Sequence, residues 1–178
     1  RRRWEYWVCA VALHKLGATV IPASLQLTKK DIVYRAASAE VKMMVCVDDA
    51  YVVEQTEEAL PESPTIKDKI IVAGEREGWH SFDELIADES DEFERPTGEE
   101  GVTSKDIMLI YFTSGTTGMA KAVCHNFAHP LGHILTARYW QQVQEDKLHM
   151  SVTDSGWAKF GWGKIYGQWI CGATIFAY

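Results

Sequence analysis

The succession of apolar and polar positions divides the chain into helices and strands at a regular rhythm. Residues 4–16 place Trp4, Trp7, Val8 and Val11 on one helical face, and Gly17 supplies a left-handed stop. Residues 18–23 read as a short β-branched strand with Pro22 near its end. Thr28 opens a second helix, because Asp31 completes a capping-box-like start and Ile32, Val33, Ala36 and Ala37 make its apolar stripe. Residues 41–47 form an apolar strand broken only by Lys42, Asp48-Asp49 begin a third helix running to about Leu60, and residues 69–73 are a further strand. This alternation predicts an α/β fold, with right-handed βαβ units in mainly parallel sheets flanked by helices.

The rhythm changes at Asp83. Residues 83–100 carry nine carboxylates and one arginine, with Pro96 and Gly98 near the end. Paired carboxylates can act as acid and base, but charges this dense among few apolar residues predict a solvated helix and loop instead. Leu85, Ile86 and Phe93 are its candidate anchors, and it connects one α/β lobe to the strand at 107–112. That strand has no polar alternation, which predicts burial on both faces. Residues 122–127 are its returning strand, 131–144 a helix, 148–152 a short strand, and 173–178 a last apolar run.

His125, His129 and His133 recur every four residues, a spacing that would line three imidazoles along one helix and suggest a metal. Pro130 disfavours helix at His129 and sets a helix N-terminus near residue 130. The three therefore do not share one helix, and they are read as satisfied structural groups.

The chemistry concentrates between the strands, in Tyr111-Phe112-Thr113-Ser114-Gly115-Thr116-Thr117-Gly118-Met119-Ala120-Lys121. Such a loop offers backbone N–H groups, four hydroxyls and one ammonium, the ingredients for holding a polyphosphate. Its glycines lie three apart and Lys121 follows three residues later, which is not the Walker spacing. A plain turn rarely needs four hydroxyl residues plus a lysine. A second unusual stretch, Asp154 to Lys164, combines Gly156, Gly161 and Gly163 with Trp157, Phe160 and Trp162. By composition it suits equally a slot for an acyl group and a helix packed through its aromatics.

The 178 residues, 47% hydrophobic with seven tryptophans, suffice for one domain with a substantial core. A net charge of -7 argues against nucleic acid or an anionic membrane as partner. Cys9, Cys46, Cys124 and Cys171 include no C-x-x-C pair, which favours reduced thiols and a cytoplasmic setting. No apolar run approaches the roughly 20 residues of a membrane span. Arg1 is not a start methionine and Tyr178 closes an apolar run, so the chain is expected to be a fragment.

The loop resembles that of the adenylate-forming enzymes, the superfamily of acyl-CoA synthetases, luciferases and peptide-synthetase adenylation domains. Their pattern is approximately [YF]-[ST]-S-G-T-T-G-x-P-K, and residues 112–121 depart from it only at Ala120. Ala120 removes no phosphate donor and is expected only to loosen the start of the next strand. Leu16-Gly17-Ala18, Ile21-Pro22 and Leu27 to Arg35 resemble the family's first α/β repeat. Asp154-Ser155-Gly156-Trp157 resembles the medium-chain or branched-chain acyl-CoA synthetase branch.

The resemblance implies that residues 1–178 are part of the N-terminal AMP-binding domain, with the C-terminal domain absent. It implies a ligase of fatty acid metabolism that uses ATP, Mg²⁺ and coenzyme A to activate a short-, medium- or branched-chain carboxylic acid. Thr113, Ser114, Gly115, Thr116, Thr117, Gly118 and Lys121 would hold the β,γ-phosphates. Trp162 would wall the acyl pocket, with Trp157, Lys159 and Gly163 beside it; Lys159 would meet the carboxylate or else snorkel to solvent. The adenine, ribose, metal-binding and C-terminal lysine blocks of the family are not found, so the fragment alone is expected to be inactive and to carry no metal ligands. The alternatives are a ligase for another carboxylate, such as acetate or an aryl acid, and a non-catalytic nucleotide-binding domain.

Overall fold

The computed structural model describes residues 3–113 and 118–176. In chain order its elements are α1 (Glu5–Leu16), α2 (Lys29–Ala39), β1 (Met43–Val47), α3 (Ala50–Ala59), β2 (Asp68–Val72), β3 (His80–Ser81), α4 (Phe82–Ala87), β4 (Ile107–Thr113), β5 (Lys121–Asn126), α5 (His129–Leu135), β6 (Leu148–His149), α6 (Ala158–Phe160), α7 (Tyr166–Ile170) and β7 (Thr174–Ile175). Leu25–Glu94 make one compact unit, and the described residues on either side make the other.

Local signals build the Leu25–Glu94 unit. The Thr28 hydroxyl accepts from the Asp31 N–H while the Asp31 carboxylate accepts from the Thr28 N–H at 3.0 Å, a full capping box that starts α2. The Asp49 side chain accepts from Tyr51 and Val52 N–H at 3.1 and 3.2 Å and starts α3. β1 and β2 run parallel from Met43↔Asp68 to Val47↔Val72 with α3 as the crossover, and β3 adds in parallel to β2. Ile32 and Ala36 of α2 bury against Ala59 and Ile66, whereas Ala37 stays in solvent, so the stripe is narrower than its pattern. Phe82, which precedes the acidic segment and starts α4, is buried, whereas none of the described residues within the segment is. Leu85, Ile86 and Phe93 are 44%, 44% and 41% exposed, so none of the three is buried as a core anchor. The inward-facing position falls to Phe82, the first residue of the helix, and the later apolar residues stay at the surface.

In the other unit, Gly17 at φ 77° ends α1 as expected. The buried face of α1 differs from the expected one. Trp7 and Ala10 are buried, while Trp4, Val8 and Val11 lie in solvent. The reason is the partner: Phe160 packs on Tyr6 and Trp7 at ring separations of 5.1 and 5.4 Å and draws that side inward. The strand expected at 18–23 shrinks to one parallel bridge, Val20 to Leu109, closed by Val20 N–H to Met108 C=O and Ile110 N–H to Val20 C=O, both 2.9 Å.

β4 and β5 pair antiparallel from Ile107↔Asn126 to Thr113↔Lys121, a local exception to the expected parallel order. Met108, Leu109, Tyr111 and Phe112 are buried, in line with the unbroken apolar run. Pro130 sits in the first turn of α5, and the Asn126 side chain accepts from His129 N–H at 3.0 Å. The helix expected to reach Gln144 widens into a π-turn at Thr136–Trp140 and stops, and Gln142 takes φ 55°. Leu148–His149 pairs in parallel with Thr174–Ile175, shorter than either apolar run predicted.

Candidate functional site

The phosphate-loop candidates fall at the open end of the β4–β5 pair. Thr113 is the last residue of β4 and Lys121 the first of β5, both exposed, and they are register partners. Residues directly opposite in an antiparallel pair present their side chains on one face. The Thr113 hydroxyl and the Lys121 ammonium are thus rooted on the same side of the loop. Gly118 has φ 111°, a backbone conformation that disfavours any side chain, and it faces open space. Ser114, Gly115, Thr116 and Thr117 lie outside the described residues. β5 begins directly after Ala120.

The second candidate stretch forms α6 and enters a π-turn at Gly161–Ile165, which α7 follows. Its aromatic residues take three separate settings. Phe160 is buried in the core with Trp7, Leu109 and Tyr111. Trp157 is 66% exposed. Trp162 is half-buried, and the three imidazoles gather around it: His125, His129 and His133 have ring centroids 4.9, 4.6 and 4.5 Å from the indole, His133 stacked at 8°. Gly163 is buried where a Cβ would meet the Gln141 amide at 3.4 Å and Ser151 Oγ at 3.6 Å, with Lys159 Cγ at 3.7 Å. The Lys159 side chain is otherwise exposed.

One residue joins the two stretches. Tyr111, two residues before Thr113, runs under the π-turn, and a Cβ on Gly161 would lie 2.8 Å from its hydroxyl. Its ring also meets Trp162 edge-on at 6.4 Å. Burial holds the Tyr111 phenol neutral, raised to about 12. Burial likewise raises Tyr166 and Tyr6 and lowers His125 and His133, whose neighbouring imidazoles add to the effect. The site is therefore built from aromatic rings, suited to an apolar group, beside a loop suited to anions.

Sequence spacing exposed the histidines but not their common neighbour. His125 sits on β5, whereas His129 and His133 share α5 despite Pro130, because proline is tolerated in a first helical turn. What unites them is Trp162, on a different element, and no local pattern announces that contact. Tyr111 as the bridge was equally hidden, since within β4 it reads only as core.

Solved structures of the same fold include an anthranilate CoA ligase in complex with anthranoyl-AMP, with TM-score 0.84, 18% identity, and coverage of 99% of this chain and 33% of that one. Acetoacetyl-CoA synthetase from Streptomyces lividans aligns with TM-score 0.81 and 18% identity over 97% of this chain and 28% of that chain. These likenesses show the fold, an α/β architecture shared with those two enzymes. The model of the AMP-binding enzyme family matches residues 1–178, and the chain belongs to that family. Acyl-coenzyme A synthetase ACSM4, mitochondrial, of Homo sapiens is 35% identical over 176 residues, 98% of this chain. The chain spans about 29% of the length of the curated relatives it matches.

Proposed function

We propose that the chain supplies the ATP-phosphate loop and an acyl-facing wall of an ATP-dependent acyl-CoA synthetase acting on short-, medium- or branched-chain carboxylic acids. The observation that carries this reading is the Thr113–Lys121 pair rooted at the ends of a loop that matches the adenylating pattern except at Ala120. The 35% identity to an acyl-coenzyme A synthetase supports the choice of acid and thiol.

In the proposed reaction a substrate carboxylate oxygen attacks the α-phosphorus of ATP, and pyrophosphate leaves with the bonding electron pair. The coenzyme A thiol, losing its proton, then attacks the acyl carbon and AMP departs. Negative charge grows on phosphate oxygens in the first step, so placed donors matter more than a nucleophilic side chain. Thr113 and Lys121 orient the β,γ-phosphates as leaving group, together with the hydroxyls and N–H groups of Ser114, Gly115, Thr116, Thr117 and Gly118. Mg²⁺ entering with ATP supplies charge neutralisation. Among the described residues no cluster of three His, Cys, Asp or Glu fits a metal, so no ligand to it is assigned in this chain. Trp162 limits acyl length by its bulk, with Trp157 and Gly163 beside it, and Lys159 meets the carboxylate.

The four unpaired thiols support a reducing compartment, which we take as the cytoplasm. The mitochondrial relatives favour the mitochondrion as a second reading.

ATP–pyrophosphate exchange by the intact protein, with acids from acetate to dodecanoate and benzoate, tests the proposal. Exchange should peak among the short or medium chains. No exchange with any aliphatic acid would contradict it, and exchange with benzoate alone would reassign the substrate to aryl acids.

A further inference from the structure

We propose that His129 and His133 form a two-nitrogen site for a borderline divalent transition metal, Zn²⁺ or Cu²⁺, separate from the Mg²⁺ that accompanies ATP. The residues stand four apart on α5, and their Nε2 atoms lie 3.3 Å from each other. Two zinc–nitrogen bonds of about 2.0–2.1 Å at a tetrahedral angle put their nitrogens roughly 3.3–3.4 Å apart. The nitrogen separation thus matches the one the ion demands.

The surroundings fix which nitrogen of His133 is free. The Thr136 hydroxyl donates its one proton to the His133 carbonyl at 3.0 Å. Toward His133 Nδ1, 3.2 Å away, Thr136 Oγ1 can therefore only accept. Nδ1 carries the ring proton, and the bare Nε2 lone pair points at His129. This is the outer hydrogen bond that metal-ligating histidines use to set their tautomer. Trp162 stacks at 4.5 Å on the His133 ring and holds its plane. His129 is exposed, so an ion reaches the pair from solvent. The His125 ring lies 4.5 Å from that of His129, and among the described residues no three groups converge on one point. The remaining positions of the ion are therefore left to water. Imidazole nitrogen selects Zn²⁺, Cu²⁺ or Ni²⁺ and discriminates against the hard Mg²⁺.

The competing arrangement is a plain hydrogen bond, with His129 Nε2–H donating to His133 Nε2 and no affinity for metal. Electron paramagnetic resonance of the intact protein with one equivalent of Cu²⁺, and neither ATP nor acid present, separates the two. We expect superhyperfine coupling from two imidazole nitrogens, lost in H129A/H133A while the circular dichroism stays unchanged. Zinc titration should show one site whose affinity falls at least tenfold in H129N, a change at an exposed position that serves if the double variant misfolds. Absence of nitrogen coupling in the wild type overturns the proposal, as does zinc affinity unaltered in H129N. Because no substrate enters these measurements, their failure leaves the ligase reading standing and its failure leaves the metal site standing.

Discussion

Thr113 and Lys121 are the last register pair between β4 and β5, so the hydroxyl and the ammonium flanking residues 114–120 rise from facing backbone positions. Opposed residues of an antiparallel pair sit about 5 Å apart at Cα, close enough for both side chains to address one phosphate chain. The strand that holds Thr113 is itself clamped. Tyr111 is buried beneath the Gly161 π-turn, and Leu109 beside Val20. The strand that leads into the loop and the Gly161 π-turn thus share one support.

That clamp makes Gly161 intolerant of a side chain. An added methyl would stand 2.8 Å from the Tyr111 hydroxyl and 3.2 Å from Tyr166 Cε2. Gly161→Ala should destabilise the fold by about 1–3 kcal/mol through overpacking. Urea denaturation should show a lower midpoint, and adding Tyr111→Phe should recover part of it. Equal midpoints for wild type and Gly161→Ala would remove the clamp from the account.

His14 makes stability fall on the acid side. Its Nε2 lies 2.8 Å from the Tyr166 hydroxyl, and burial lowers its pKa from 6.5 to about 4. The unfolded chain takes up a proton near pH 6.5 that the folded chain refuses until about pH 4. This contribution is therefore intact above pH 6.5 and is lost progressively as pH drops toward 4. Allowing for residual solvent access, it amounts to roughly 1–2 kcal/mol by about pH 4.5. Comparing urea midpoints at neutral and mildly acidic pH, His14→Gln should lose less than wild type. An identical loss in both would assign the acid sensitivity elsewhere.

What the sequence disclosed was what local chemistry decides. Thr28 with Asp31, Asp49, Gly17 and Pro130 mark helix ends through contacts within a few residues, and each was legible. Which face of α1 turns inward was not, because the answer lies with Phe160, about 150 residues on. Trp4, Val8 and Val11 satisfied the helical period and still face solvent. The same limit hid Trp162 as the meeting point of three imidazoles and Tyr111 as the link between loop and π-turn. The early end of α5 was hidden too, since nothing in the apolar pattern near Thr136 signals a π-turn.

Thr28→Ala removes one half of the α2 capping box and leaves the Asp31 N–H without its side-chain acceptor. The cost should be about 1 kcal/mol, read as a lower thermal midpoint. Thr28→Ser, which keeps the hydroxyl, should restore most of it. No difference between the alanine and serine variants would show that the cap contributes nothing.

Trp162 should govern acid length. Trp162→Ala opens space where one methylene is worth about 1–3 kcal/mol of discrimination. The ratio of exchange rates for dodecanoate over hexanoate should rise at least tenfold, whereas Trp162→Phe should change it little. If the ratio holds in a folded Trp162→Ala protein, the indole belongs to the imidazole cluster alone and not to the acyl wall.

The most direct test of the phosphate loop is ATP–pyrophosphate exchange by the intact protein carrying Lys121→Ala, with the best acid of the panel at saturation. Loss of one charged donor to the leaving pyrophosphate should slow exchange on the order of 10²-fold. Lys121→Arg should recover part of the rate. Exchange by Lys121→Ala at the wild-type rate would contradict the assignment of residues 113–121 to the phosphates of ATP.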